Sequence, residues 1–398
     1  MEQSWRWFGP GDVVPLHAIR QAGATGVVTA LHDIPYGELW TEAAIAERQS
    51  LIAADPSLGL RWNVVESLPI HERIKLGEGD LGPLFQAYRQ SMRNLAAAGV
   101  KTICYNFMPV VDWTRTELHH VLPGGGRALR FNAHEWAAFD CLMLERPGAE
   151  ADHAPEVVVR AHSWFRDASE SDKETLLSSI MAGLPGAFER YDISGLRKML
   201  DRYRGVSADT LRERLALFLR EVIPTAEEVG IRMAIHPDDP PRPLMGLPRI
   251  VSSAEDLAFV TGVVDSPSNG ITLCTGSLGA GPHNDVPAIA RRFAHRIQFA
   301  HLRNVTKEPD GSFMEADHLG GDTDMVAVIE TLMAEQRRRR NAGEENWRLP
   351  FRPDHGHELL DDHGKNSFPG YSAIGRLKGL AEIRGVMRAV AQLRALPM

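Results

Sequence analysis

Short runs of β-branched and aromatic residues alternate along the chain with longer amphipathic stretches, the pattern of parallel βα units. The spacing predicts strands at 5–8, 26–31, 60–66 and 101–107, with helices at 13–22, 41–54 and 82–98 between them. Thr41 stands where a helix N-cap is needed, and Gly99 where a helix ends. The rhythm resumes with a helix at 208–229, expected to be broken by Pro224, and a strand at 231–236. Strands at 270–274, 297–301 and 349–354 follow, preceded by helices at 253–263, 286–294 and 325–340, and a last helix runs 374–393. Eight strands each followed by a helix predict an α/β fold, a (β/α)8 TIM barrel spanning 1–398 as one domain. The stretch 108–206 is too long for an ordinary connection. It reads as a partly helical insertion on the fourth βα loop, with helical pieces at 133–145, 172–182 and 193–203, in the manner of a lid.

The last four predicted strands end in residues of one chemical kind: His236, Cys274, His301 and Asp354. Strand C-termini form the catalytic face of such a barrel, and neighbouring strands lie ~4.8 Å apart, so these side chains can converge on one ion. A single histidine or cysteine on a strand is ordinarily a packed residue. Two imidazoles, a thiolate and a carboxylate ending four successive strands point instead to a metal centre. Softness favours zinc or ferrous iron at a cysteine ligand, while a carboxylate and open positions also suit Mn²⁺. Other polar residues reach the same face: Arg6 and Trp7 on the first strand, His32 and Asp33 after the second, Glu66 on the third, Asn106 on the fourth. His318 lies in the seventh loop, and His355 and Tyr371 follow the eighth strand. A histidine beside a metal ligand suits general acid/base work; Tyr371 is equally readable as packing at a helix entry. Cys104 and Cys141 sit in apolar surroundings and read as packing, and Gly124-Gly125-Gly126 reads as a turn.

Charge and composition narrow the function. With 44 Lys+Arg against 52 Asp+Glu the net charge is −8, which leaves no electrostatic footprint for nucleic acid. The one basic run, Arg337 to Arg340, closes a predicted helix, where it complements the dipole and stays solvated. No stretch reaches the ~18 apolar residues of a membrane span. The N-terminal residues carry neither a basic nor an apolar leader pattern, and the 3 widely spaced cysteines suit reduced thiols, so a cytoplasmic location is expected.

The runs Trp5-Arg6-Trp7-Phe8-Gly9-Pro10, Val64-Val65-Glu66-Ser67 and Tyr105-Asn106-Phe107-Met108-Pro109 resemble those of D-mannonate dehydratases. So do Ile235-His236-Pro237-Asp238-Asp239-Pro240-Pro241, Arg352-Pro353-Asp354-His355-Gly356 and Pro369-Gly370-Tyr371. The resemblance runs from Trp5 to the last helix. It implies a barrel similar to that of xylose isomerase and conversion of D-mannonate to 2-dehydro-3-deoxy-D-gluconate and water in hexuronate catabolism. It also implies Mn²⁺ or Fe²⁺, one ion per site, on His236, Cys274, His301 and Asp354, with His355 and Tyr371 as acid and base. Arg6, Trp7, Glu66, Asn106, Arg303 and His318 are the expected substrate-binding set, with Arg6 and Arg303 candidates to hold the carboxylate bidentately. The expected partners are the sugar acid and a second copy of the chain, a homo-oligomer of the dimer type, without nucleic acid or membrane. An aldose–ketose isomerase or epimerase usually carries a carboxylate-rich, two-metal site, which the Cys and two His disfavour. A silent sugar-acid-binding barrel is disfavoured by the presence of His355 and Tyr371.

Overall fold

In a computed structural model, which describes residues 1–183 and 191–396, the apolar runs become eight parallel strands of one closed barrel. In chain order the strands are β1 (Glu2–Arg6), β2 (Gly26–Thr29), β3 (Arg61–Glu66), β4 (Thr102–Tyr105), β5 (Glu117–Val121) and β6 (Arg127–Phe131). They continue as β7 (Arg232–Ile235), β8 (Asn269–Cys274), β9 (Ile297–His301), β10 (Asn304–Lys307), β11 (Phe313–Ala316) and β12 (Pro350–Arg352). The barrel closes in the order β1-β12-β9-β8-β7-β4-β3-β2. Its strands are buried on both faces: Val28, Val64, Cys104, Ala234 and Phe299 form one inner cluster, as a filled barrel requires. Outward residues such as Val27, Val65, Ile103 and Ile271 belong to the core shared with the surrounding helices. The register sets Cys274 beside His301 and His301 beside Arg352, so the ends of β8, β9 and β12 are lateral neighbours.

Most expected elements are present within a few residues, including the Thr41 cap, whose hydroxyl accepts from the Ala44 amide, and Gly99 at φ 82°. Three local expectations are corrected. Pro224 does not break its helix: Ala208–Val229 is continuous, and burial of Phe218, Leu219, Val222 and Ile223 around the proline outweighs the missing hydrogen bond. The first strand occupies Glu2–Arg6 rather than 5–8. In the basic run, Arg338 is exposed but Arg339 is buried, bonding Glu335, Gln298 and the carbonyls of Ala294 and Ile297.

The insertion is not only helical. β5 and β6 form a hairpin around the Gly124–Gly126 turn, and β6 pairs with β11 from the loop after β9, giving an antiparallel sheet β10-β11-β6-β5. A helix at Pro155–Asp167 is also present, and the expected helix at 133–145 runs from Ala133 to Ala138 before widening into a π-helical turn, Phe139–Met143. The remaining helical expectations appear as Glu170–Ile180 and Ile193–Arg202, while residues 184–190 of the insertion lie outside the described residues. Phe131 stacks on Phe313 at 5.4 Å within a second apolar core, which unites the two excursions over the barrel mouth. Among the described residues, no helix is long and apolar enough to cross a membrane.

Candidate active site

The ends of β7, β8 and β9 deliver three of the expected donors to one point. His236 follows β7 directly, its amide bonded to the Tyr105 carbonyl of the neighbouring strand at 2.7 Å. Its Nδ1 lies 2.6 Å from the Pro237 carbonyl, which leaves Nε2 to face His301 Nδ1 at 3.1 Å. Cys274 ends β8 and caps the short helix Thr275–Gly279, its sulfur accepting from the Ser277 amide at 3.4 Å and hydroxyl at 3.0 Å. Donor atoms of His236, Cys274 and His301 all lie within 4.8 Å of one another. Asp354, in the left-handed turn after β12 at φ 65°, places Oδ2 3.7 Å from Cys274 Sγ and 3.9 Å from His301 Nδ1. Donors sharing an ion at roughly 2.0–2.3 Å from each sit about 3–4 Å apart, so His236, Cys274 and His301 fit a divalent metal, with Asp354 beside two of them but bound to Arg303 and Arg352.

Electrostatics prepare the same group. Burial pushes the Cys274 thiol up, but Arg303 and His236 outweigh it and hold the group well below the ordinary thiol range. Burial pushes His236 down, and the neighbouring Cys274 thiolate reverses this, raising the imidazole to about 9. In this state the pair is thiolate and imidazolium, and a bound cation would replace the imidazolium proton. Burial likewise opposes ionisation of Asp354, yet Arg352, His355, His301 and Arg303 hold its carboxyl well below the usual range.

Glu66 stands behind His301, its Oε2 3.5 Å from Nε2, an atom that makes no hydrogen bond to the described residues. A carboxylate behind an imidazole orients the ring and directs the other nitrogen outward. Glu66, Cys104 and His301 also converge closely enough to hold an ion. That group does not fit one: Glu66 is taken up by Arg352 at 2.8 and 3.0 Å, with Arg6 at 3.3 Å, and burial drives the Cys104 thiol well up.

Arg303 links the donors to the loops. Its Nε bonds Asp354 at 2.6 Å, Nη1 bonds Glu315 at 2.6 Å, and Nη2 reaches Asp239 and, at 3.0 Å, Ser277. A Cβ at position 276 would lie 2.6 Å from this side chain, so the glycine after Thr275 is what admits it. Arg115, fully buried at the start of the insertion, bonds Asp239 at 2.8 and 3.2 Å and Glu315 at 3.0 Å. His355 faces the same carboxylate, Nδ1 to Glu315 Oε1 at 3.1 Å. Its ring lies edge-on to Tyr371 at 5.2 Å and to Trp113 at 5.8 Å. Burial raises the Tyr371 phenol to about 12 against the pull of Arg352.

A space of about 20 Å³ lies at this cluster, lined by Glu66, Asn106, His236, Asp354, His355 and Tyr371 among others. A cleft of about 600 Å³ shares Ser67, Asn106 and Met108 with it and carries Arg6 and His32 on its wall. Of the expected substrate-binding set, Arg6, Glu66 and Asn106 therefore line these spaces, and Arg6 Nε makes no hydrogen bond to the described residues. Three expectations change. Trp7 is packed in the barrel–helix core. His318 turns away, bonding the Pro353 carbonyl at 2.7 Å with its ring against Gly379, where a Cβ would lie 2.1 Å from it. Arg303 lines the small space, but each of its three nitrogens is already bonded to the protein, so it fits an internal link better than a substrate clamp. Sequence reasoning missed Asp239, Glu315, Arg115 and Arg352. Asp239 and Arg352 sit inside quoted motifs beside chosen residues, whereas Arg115, readable only as part of a lid or the start of the insertion, and Glu315, 200 positions away, carried no signal of their pairing.

A model of the D-mannonate dehydratase (UxuA) family matches residues 1–396. The chain belongs to the D-mannonate dehydratase family. It is 55% identical over 394 residues to a mannonate dehydratase of Chromohalobacter salexigens, covering 99% of this chain and 100% of that one. It is 52% identical over 387 residues to one from a Marinomonas species, covering 97% and 98% of the two. The crystal structure of mannonate dehydratase from Streptococcus suis serotype 2 superposes with a TM-score of 0.77 at 34% identity, covering 100% of this chain and 95% of its own. As a member of the D-mannonate dehydratase family, the protein is a hydro-lyase of carbohydrate catabolism.

Proposed function

We propose that the enzyme converts D-mannonate to 2-dehydro-3-deoxy-D-gluconate and water with one Mn²⁺ or Fe²⁺ held by His236, Cys274, His301 and Asp354. The observation that supports this reading is the meeting of His236, Cys274 and His301, with Asp354 beside the last two, next to His355 and Tyr371. The C2 proton of an aldonate is very weakly acidic, because the adjacent carboxylate already carries charge. A divalent ion, when bound, supplies Lewis-acid stabilisation of the enediolate charge and a template for the substrate oxygens. Arg6, on the wall of the cleft beside Glu66 and His32, holds the substrate carboxylate. His355 takes the C2 proton. Tyr371, whose phenol keeps its proton at neutral pH, gives it to the departing C3 hydroxyl, which leaves as water. The enol then becomes the 2-keto acid. The aromatic cluster of Phe8, Phe368 and Tyr371 fixes the phenol, with Phe8 edge-on at 4.8 Å.

The test is turnover by metal-stripped protein and by protein reloaded with Mn²⁺ or Fe²⁺, on D-mannonate and separately on D-gluconate. Metal-dependent 2-keto-3-deoxy acid from mannonate alone is expected; no product with any metal would overturn the proposal. Tyr371→Phe is expected to bind metal and substrate as before while kcat falls ~10²–10⁴-fold. Unchanged kcat would remove Tyr371 from the mechanism.

A further inference from the structure

We infer that Glu315 is a positioning residue that sets which ring nitrogen of His355 is free to take a proton; the inference rests on His355 being the base. Glu315 stands on β11, outside the barrel strands, and is buried. Its Oε1 alone receives Arg303 Nη1 at 2.6 Å, Arg115 Nη2 at 3.0 Å and His355 Nδ1 at 3.1 Å. Guanidinium groups only donate, so this oxygen is held as an acceptor from two sides. Burial works against its ionisation, but Arg303 and Arg115 keep the carboxyl well below its ordinary range. An acceptor at that position requires the proton of neutral His355 to sit on Nδ1. The lone pair is then on Nε2, the nitrogen 3.9 Å from Asp354 Oδ1. The other tautomer would set a lone pair against the Glu315 oxygen and a proton where the base must accept one. The arrangement parallels an orienting carboxylate in a catalytic triad, here supplied by a loop strand.

Two substitutions separate this role from simple balancing of the arginine charges. Glu315→Gln keeps an oxygen that Arg115 and Arg303 hold in place, whereas Glu315→Met removes the acceptor at similar volume. If Glu315 acts by orienting His355, the Gln variant, whose oxygen the two arginines keep facing Nδ1, retains more of its kcat than the Met variant, which loses ~10²–10⁴-fold with KM nearly unchanged. Both are expected to retain one metal per chain. In a His355→Asn background, Glu315→Met should cost no more than ~3-fold further. Equal losses in the Gln and Met variants, or additive losses in the double variant, would assign Glu315 to charge balance and overturn the inference. Nitrogen-15 NMR of histidine-labelled wild type, with His355 assigned by His355→Asn, reads the tautomer directly even if neither Glu315 variant folds. Protonation at Nδ1 supports the inference and a neutral ring protonated at Nε2 refutes it. That reading holds whether or not mannonate is the substrate, so failure of the wild type to turn over mannonate would count against the proposed reaction alone.

Discussion

Cys274 and Glu315 are both buried and both held ionised by Arg303, Glu315 through a direct bond, yet their settings were assembled in different ways. Cys274 ends a strand of the closed barrel, and its register with His301 follows from the sheet. The strand ladder alone puts donors from β7, β8 and β9 side by side. Glu315 lies on a four-stranded sheet stitched from two loops, and its partner Arg115 comes from the other excursion. The barrel therefore brings three candidate donors together, while the loop sheet adds Glu315 and its pairing with Arg115 to the charges around them. If this division holds, substitutions on the barrel side abolish metal binding, and those on the loop side weaken folding and base positioning while leaving the donors intact.

The largest effect is expected from Cys274→Ser. An alcohol is a much poorer ligand than a thiolate already held in its ionised form. Metal affinity should fall well over ~100-fold, more than the 10–100-fold typical of losing a group that merely supports a ligand, and turnover should fall with it. Elemental analysis after gel filtration reads the result, and full metal content in the variant would remove Cys274 from the ligand set. On the loop side, Arg115→Met should leave the donors able to bind metal. It withdraws one of the cations facing buried Asp239 and Glu315, each of which keeps Arg303. Because Arg303 still pairs both acids, the loss should stay below the about 3–5 kcal/mol of a fully uncompensated buried charge, visible as a lower denaturation midpoint. Loss of metal with no loss of stability would show that the two sides are not separate.

The same division explains what could be read from the chain. His236, Cys274 and His301 were legible because a residue ending a barrel strand has its position set by local pattern alone. Side-chain direction was less legible. Arg6 and Trp7 are adjacent, and side chains at successive extended positions point to opposite sides, so only Arg6 reaches the cleft while Trp7 enters the core. His318 is a loop residue whose orientation depends on Pro353 and on the absence of a side chain at Gly379, neither local to it. The β5–β6 hairpin was hidden because its exposed strand carries Glu117, His119 and His120 rather than an apolar alternation, and its pairing partner lies in a remote loop. Pro224 misled for the complementary reason, a local signal overruled by burial.

A smaller effect sharpens the contrast at the far side of the insertion. The carboxylates around Arg303 are held ionised by arginines, but Glu135, on the helix Ala133–Ala138, is not compensated to the same degree. Burial and the like charge of Glu117 raise it from 4.5 to about 7, with Thr116, Arg130 and His120 only partly offsetting them. Between these two values the folded protein keeps a proton that the unfolded chain releases. Stability therefore falls as pH rises from 4.5 to about 7, and the full cost is present above that. Glu135→Gln removes the ionisation without changing shape, so its unfolding free energy should exceed that of the wild type at pH ~8, by at most about 3 kcal/mol. Near pH ~4.5 the cost of ionisation disappears, and the advantage should shrink towards zero. Midpoints of the two proteins across that range decide it. An advantage independent of pH would mean that Glu135 is destabilising through packing rather than charge, and that the insertion compensates its acids as fully as the barrel mouth does.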